Sequence, residues 1–210
     1  MSLALAEHKK EDRDQQVPAI IATLGPKSIV LIGLMGAGKT AVGKRLAAKL
    51  DLPFVDADEE IEEAAGQSIT EIFAEHGEAY CSQGERKVMA RLLEAGPQVL
   101  ATGGGAYMIE ETRATIRQRG ISIWLRAELP VLLHRVRKRN HRPLLIGRDN
   151  EQVMRNLMAE RYPIYAEADI TVESRDVPHE VIVKEVIEAV AVKLGCRTAR
   201  SKAPRSDRVT

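Results

Sequence analysis

Ser28-Ile29-Val30-Leu31-Ile32-Gly33-Leu34-Met35-Gly36-Ala37-Gly38-Lys39-Thr40 carries a short apolar, partly β-branched run into a glycine-rich turn with the spacing G-x-x-x-x-G-K-[ST]. Glycines at 33, 36 and 38 let main-chain N–H groups converge on phosphate oxygens with no Cβ in the way. The helix expected to follow aims its positive N-terminal end at the same point. The spacing therefore predicts a cradle for a nucleoside triphosphate, with Lys39 at the β- and γ-phosphates and the Thr40 hydroxyl on Mg²⁺. Gly36, Ala37, Gly38, Lys39, Thr40 and Ala41 are the expected nucleotide contacts. A glycine-rich turn without a ligand is the plainer alternative, and a strand before it with a helix after it weighs against that.

Outward from this stretch, short β-rich apolar runs alternate with longer helical patterns. Such alternation predicts crossover units and an α/β fold, a mostly parallel sheet covered on both faces. Five strands are expected near 28–32, 53–55, 98–101, 121–125 and 169–173. Helices fit 38–50, 58–65, 69–76, 78–95, 110–118, 128–138, 150–160 and 179–194, and Ser68-Ile69-Thr70-Glu71 is a capping box opening the third. Trp124 and Leu125, with the stripe Val181, Val183, Val186, Ile187 and Val190, read as core.

The chain has 210 residues, 44% apolar and 29% charged, enough for one well-buried core and short for two. Residues 1–24 show no periodic stripe, and residues 196–210 carry five basic residues and one acid; both are expected to be disordered tails around one domain at 25–195. A net charge of +1 and only 3% aromatic residues give no platform for nucleic acid. No apolar stretch approaches the roughly 18 residues of a membrane span, and a secretion signal is not visible, so a cytosolic protein is expected. Cys81 and Cys196 fit neither a disulfide framework nor a zinc site.

In an open parallel sheet, ligands sit beyond the carboxyl ends of the strands. The second strand runs into Asp56-Ala57-Asp58, whose carboxylates can divide two tasks: one supporting Mg²⁺, the other accepting a hydrogen bond from an acceptor hydroxyl. The same run also has the composition of an acidic helix start. After the third strand comes Thr102-Gly103-Gly104-Gly105 with no aspartate, which makes Asp56 the better metal candidate. Three glycines let a small polar substrate approach the backbone, or else form a plain tight turn. The basic run from Arg137 to Arg148 reads as a mobile lid supplying a guanidinium to the transferring phosphoryl group, with a solvated connection as the alternative and His141 as a solvent-facing neighbour.

Taken in order, these pieces resemble the shikimate kinase family, small members of the nucleoside monophosphate kinase-like P-loop proteins. The resemblance spans residues 28–192. It rests on residues 33–40, Asp56-Ala57-Asp58, Gly77-Glu78, Gly103-Gly104-Gly105, Arg142-Pro143-Leu144-Leu145 and Arg161-Tyr162-Pro163-Ile164-Tyr165. It implies a single P-loop kinase domain with a lid, using ATP and Mg²⁺ to phosphorylate the 3-hydroxyl of shikimate, monomeric, with no nucleic-acid or membrane partner. By this resemblance Asp58 orients or deprotonates the hydroxyl, and Asp56 acts through the metal with Thr40. Gly103, Gly104 and Gly105 line the substrate pocket and Arg161 pairs with the substrate carboxylate. Arg142 closes on the phosphates, while Arg135 with Arg175 or Pro178 sandwiches adenine.

One departure stands out. After Gly77-Glu78 the family pattern has an aromatic residue and then an arginine that shares the substrate carboxylate; this chain has Cys81 and Ser82. A charge-assisted hydrogen bond contributes about 1.5–3 kcal/mol, so its loss corresponds to roughly 10- to 150-fold weaker binding. Arg86, four residues on in the same helix, is a candidate replacement, since helical side chains lean back over the preceding turn; an ordinary surface arginine is the alternative. Two other functions stay in view: a kinase of another hydroxylated metabolite such as gluconate, and a nucleotide-binding module with impaired catalysis.

Overall fold

The computed structural model describes residues 16–137 and 150–196, without the side chains of 73, 76 and 78–82. Five parallel strands form one sheet in the order β2-β3-β1-β4-β5: β1 Ser28–Ile32, β2 Phe54–Asp56, β3 Val99–Ala101, β4 Gly120–Arg126 and β5 Ile170–Glu173. Every residue of β1 is buried, as a central strand covered on both faces requires. Around the sheet lie α1 (residues 16–24), α2 Lys39–Leu50, α3 Ala57–Ala65, α4 Ile69–Glu94, α5 Glu110–Arg119, α6 Leu129–Arg137, α7 Asn150–Tyr165 and α8 His179–Lys193.

Register levels the site's starting points. Leu31 of β1 pairs with Ala101 of β3, which pairs in turn with Asp56 of β2. β2 and β3 therefore end level with the last-but-one residue of β1, and the residues two steps beyond that row, Gly33, Gly103 and Asp58, emerge along one edge. Thr102 ties two of these exits together, its N–H and hydroxyl both donating to the Leu31 carbonyl at 3.1 and 3.2 Å.

Several expectations are refined. The helices expected at 69–76 and 78–95 run on as α4 with Gly77 between them at φ 77, ψ 178, a conformation open essentially only to glycine. Ser68 and Glu71 form the expected capping box. Helix α7 continues past Glu160 to Tyr165 although Pro163 lacks the N–H that would close on the Ala159 carbonyl. Burial of Tyr165 outweighs that lost bond: its ring stands 6.0 Å from Trp124 and 6.3 Å from Tyr107.

Two readings are corrected. Residues 16–24 are not a disordered tail but a helix that buries Ile20 and Leu24 in the core, with Val17 and Ile21 packed against it. The spacing of 17, 20, 21 and 24 is one helical face. Cys196 likewise packs, its Sγ 3.5 Å from the Ala19 carbonyl oxygen, so chain end and chain start meet. The expected tails at 1–15 and 197–210 lie outside the described residues. On α8, Val183, Val186 and Val190 are buried, but Val181 is 40% exposed and Ile182 takes its place in the core.

Candidate active site

Gly38 begins the phosphate cradle. It caps α2 in the left-handed region, φ 97, with no side chain bonded to the helix's first N–H groups. The first turn's amides, from Lys39 to Ala41, are thereby left to a ligand. Lys39 folds back across the loop, its Nζ donating to the Gly33 and Leu34 carbonyls at 2.8 and 3.3 Å, which holds the ammonium over the turn. Arg135 on α6 reaches the same loop from the other side, bonding the Gly36 carbonyl at 3.2 Å, the Ser174 hydroxyl at 2.9 Å and the Arg175 carbonyl at 2.5 Å.

Thr40 and Asp56 meet, as the metal reading requires. The Thr40 hydroxyl donates to Asp56 Oδ2 at 2.9 Å, while Asp56 Oδ1 accepts the Asp58 N–H at 3.2 Å. Asp56 is thus both the N-cap of α3 and the partner of the P-loop threonine. The helix-start reading of the acidic run is thus observed, and the contact with Thr40 is compatible with the metal reading. A hydroxyl and a carboxylate side by side are oxygen donors suited to a hard cation such as Mg²⁺.

The triple glycine is where the second set converges, and it does so through absent side chains rather than unusual dihedrals. A Cβ on Gly103 would lie 2.6 Å from Asp58 Oδ1 and 2.7 Å from Glu85 Oε1. On Gly104 it would stand 2.9 Å from a terminal nitrogen of Arg161, and on Gly105 3.6 Å from the other Glu85 oxygen. The expected Asp58, Gly103, Gly104, Gly105 and Arg161 are therefore one constellation. Tyr165 anchors it by donating from its hydroxyl to the Gly104 carbonyl at 2.5 Å, and burial pushes that phenol up to about 12. Among the described residues the buried Nε–H of Arg161 meets no acceptor, which suits it to an anion.

Glu85 is the residue that sequence reading missed. Burial first, then the negative charge of Asp58, push its carboxyl up to about 7, with Arg161 pulling the other way. Arg86, the candidate replacement, fits its alternative as a surface arginine: its side chain is 43% exposed and its guanidinium lies 3.8 Å from the Glu111 carboxylate. Adjacent helix residues project about 100° apart. Glu85 stands four residues before buried Met89 and seven before Leu92, so the inner stripe of α4 takes it and leaves Arg86 at the rim. An acid on an otherwise apolar stripe was the available signal. Arg142 and the rest of the expected lid lie outside the described residues, as do the side chains of Cys81 and Ser82.

A glycine-rich loop of P-loop spacing, with Thr40 on Asp56 and with Asp58 and Arg161 gathered at a triple glycine, at the C-terminal edge of a five-stranded parallel sheet, is the arrangement of a P-loop small-molecule kinase. The shikimate kinase family model matches residues 35–191. A shikimate kinase of Rhodopseudomonas palustris is 56% identical over 178 residues, 85% of this chain and 88% of the relative. One of Bradyrhizobium diazoefficiens is 55% identical over 83% of this chain and 84% of its own. Among solved structures, a shikimate kinase from Acinetobacter baumannii in complex with shikimate superposes with a TM-score of 0.76 at 36% identity, covering 80% of this chain and 94% of that one. The chain belongs to the shikimate kinase family.

Proposed function

We propose that this chain transfers the γ-phosphoryl group of ATP to the 3-hydroxyl of shikimate. The observation that carries the reading is the meeting of Asp58 and Arg161 over Gly103–Gly105, beside the corner where Thr40 touches Asp56. The amides of Gly36 to Ala41 and the Lys39 ammonium hold the β- and γ-phosphates. Thr40 and Asp56 would hold Mg²⁺, which neutralises charge on the phosphate oxygens when bound. Arg161 takes the substrate carboxylate. Asp58 then accepts the hydrogen bond of the hydroxyl that attacks in line, so positioning and charge neutralisation supply most of the rate. Arg135 borders the adenine site.

ADP release measured with MgATP and shikimate, with the product identified by NMR, tests this. Turnover is expected with shikimate and not with gluconate, and Lys39→Met or Asp58→Asn lowers it at least about 100-fold. Either variant turning over as fast as the parent would sink the assignment. Ser82 favours one other reading, a nucleotide-binding module with impaired catalysis. Activity that requires Ser82→Arg would establish that reading instead.

A further inference from the structure

Among the described residues, the acids at the triple glycine outnumber the cations. Asp58 from α3 and Glu85 from α4 crowd the point where a Gly103 side chain would begin, and Arg161 from α7 faces them. Among the described residues, the other groups around Glu85 leave this balance unchanged. The loop Gly103–Gly105 contributes backbone alone, Tyr165 on α7 is held neutral, and Arg86 on its own helix is drawn off to Glu111 of α5. Ser82 stands where the family pattern has an arginine, so the residue that would have matched a second acid is uncharged.

A carboxylate substrate arriving on Arg161 uses the charge that offsets Glu85. The buried acid would then face two anions, Asp58 and the substrate. We propose that Glu85 makes substrate capture proton-linked: the pocket takes the shikimate carboxylate onto Arg161 together with a proton from solvent on the Glu85 carboxyl. This rests on shikimate being the substrate. Protonated Glu85 is also a hydrogen-bond donor, turned toward the floor of the pocket that a polyhydroxylated ring would occupy. Glu85 is thus a specificity-determining residue, favouring an anionic ligand in the neutral-acid form and opposing it when ionised.

The surroundings of the carboxyl agree: burial and the charge of Asp58 push Glu85 up to about 7, inside the range where an enzyme works. The linkage has a definite sign. Below that value the proton is already present and affinity is constant; above it, binding must take the proton up, and the dissociation constant rises toward tenfold per pH unit. The shikimate carboxyl, ordinary in its acidity, stays ionised throughout.

Calorimetric titration of the full chain with shikimate, without nucleotide so that the phosphates of ATP do not titrate, checks this between pH 6 and 8.5. Two buffers of different ionisation enthalpy report the protons exchanged. The expected result is uptake approaching one proton at pH 8, a dissociation constant at least about fivefold weaker at pH 8 than at pH 6, and neither effect in Glu85→Gln or with shikimate methyl ester. The wild-type proton count needs no variant, so a misfolded Glu85→Gln protein would not shelter the idea. Shikimate bound with a flat profile and no proton uptake overturns the linkage alone. Persistence of the pH dependence in folded Glu85→Gln overturns the role of Glu85. Neither binding nor phosphorylation of shikimate at any pH overturns the substrate assignment and the linkage with it.

Discussion

A methyl group on Gly103 would begin 2.6 Å from Asp58 Oδ1 and 2.7 Å from Glu85 Oε1, so even alanine would evict two carboxylates from the substrate pocket. The nucleotide loop is untouched by that change. Gly103→Ala is therefore expected to lower kcat/KM for shikimate at least about tenfold, a loss above 1.4 kcal/mol, while ADP affinity stays within twofold. Steady-state kinetics with a nucleotide titration check the pair, and equal loss of both would refute the local reading. Glu85 adds a stability signature. Its carboxyl is raised from 4.5 to about 7 in the fold, so the neutral form favours folding. That contribution is full below about 4.5 and lost as pH rises through 7; at about 1.4 kcal/mol per unit it amounts to about 3 kcal/mol at most. Urea denaturation at pH 5 and pH 8 should show wild type losing stability relative to Glu85→Gln, and a constant difference would contradict the raised acid. The sequence made Asp58, Arg161 and the three glycines legible because their order resembles a family pattern. It hid Glu85, because only the helical phase set by Met89 and Leu92 distinguishes it from Arg86 beside it.

Among the elements, the strands were the most readable, since compact β-branched runs bounded by glycine or polar residues leave few alternatives to a buried parallel sheet. Residues 16–24 were not, because the charged stretch before them masked a stripe of four apolar positions whose value depends on a surface to cover. That surface is the core around Ile20 and Leu24, both almost fully buried. Ile20→Ala is accordingly expected to cost about 2–4 kcal/mol in chemical denaturation while leaving the KM for ATP unchanged. A loss under about 0.5 kcal/mol would mean that α1 is an ornament on the fold rather than part of it. The joint inside α4 is a second place where an element depends on one residue. Gly77 at φ 77, ψ 178 sets the direction of the segment that carries Glu85. Alanine there costs about 1–3 kcal/mol of backbone strain, or the helix straightens and takes Glu85 with it. Loss of stability together with loss of the pH-dependent shikimate affinity would identify the second route; loss of stability alone, the first.

At the scale of the whole molecule, the shared register of β1, β2 and β3 sets the two halves of the proposed site on separately supported parts of the fold. The cradle hangs on β1 and α2, cross-braced by Arg135 from α6 to the Ser174 hydroxyl beyond β5. The proposed acceptor pocket hangs on α3, α4, the loop after β3, and α7, whose Arg161 is held near by the aromatic packing of Tyr162 and Tyr165 on Trp124. Asp56 is the hinge between the halves, since one oxygen binds Thr40 and the other caps the helix that presents Asp58. A ligand in the cradle should thus stabilise the whole sheet edge. MgADP at 100 times its dissociation constant adds about 2.7 kcal/mol, which for a chain of this size is a rise in Tm of about 5–10 °C. In Lys39→Met that rise should largely vanish, because the cradle loses its charge. Asp56→Asn discriminates further: the amide oxygen can still accept the Asp58 N–H while the amide N–H₂ donates to the Thr40 hydroxyl, but the amide is a poor ligand for a hard cation. Its thermal shift with ADP should therefore become insensitive to Mg²⁺ while persisting in EDTA. A full magnesium-dependent shift in Asp56→Asn would move the metal corner away from Asp56 and leave it only as the cap of α3.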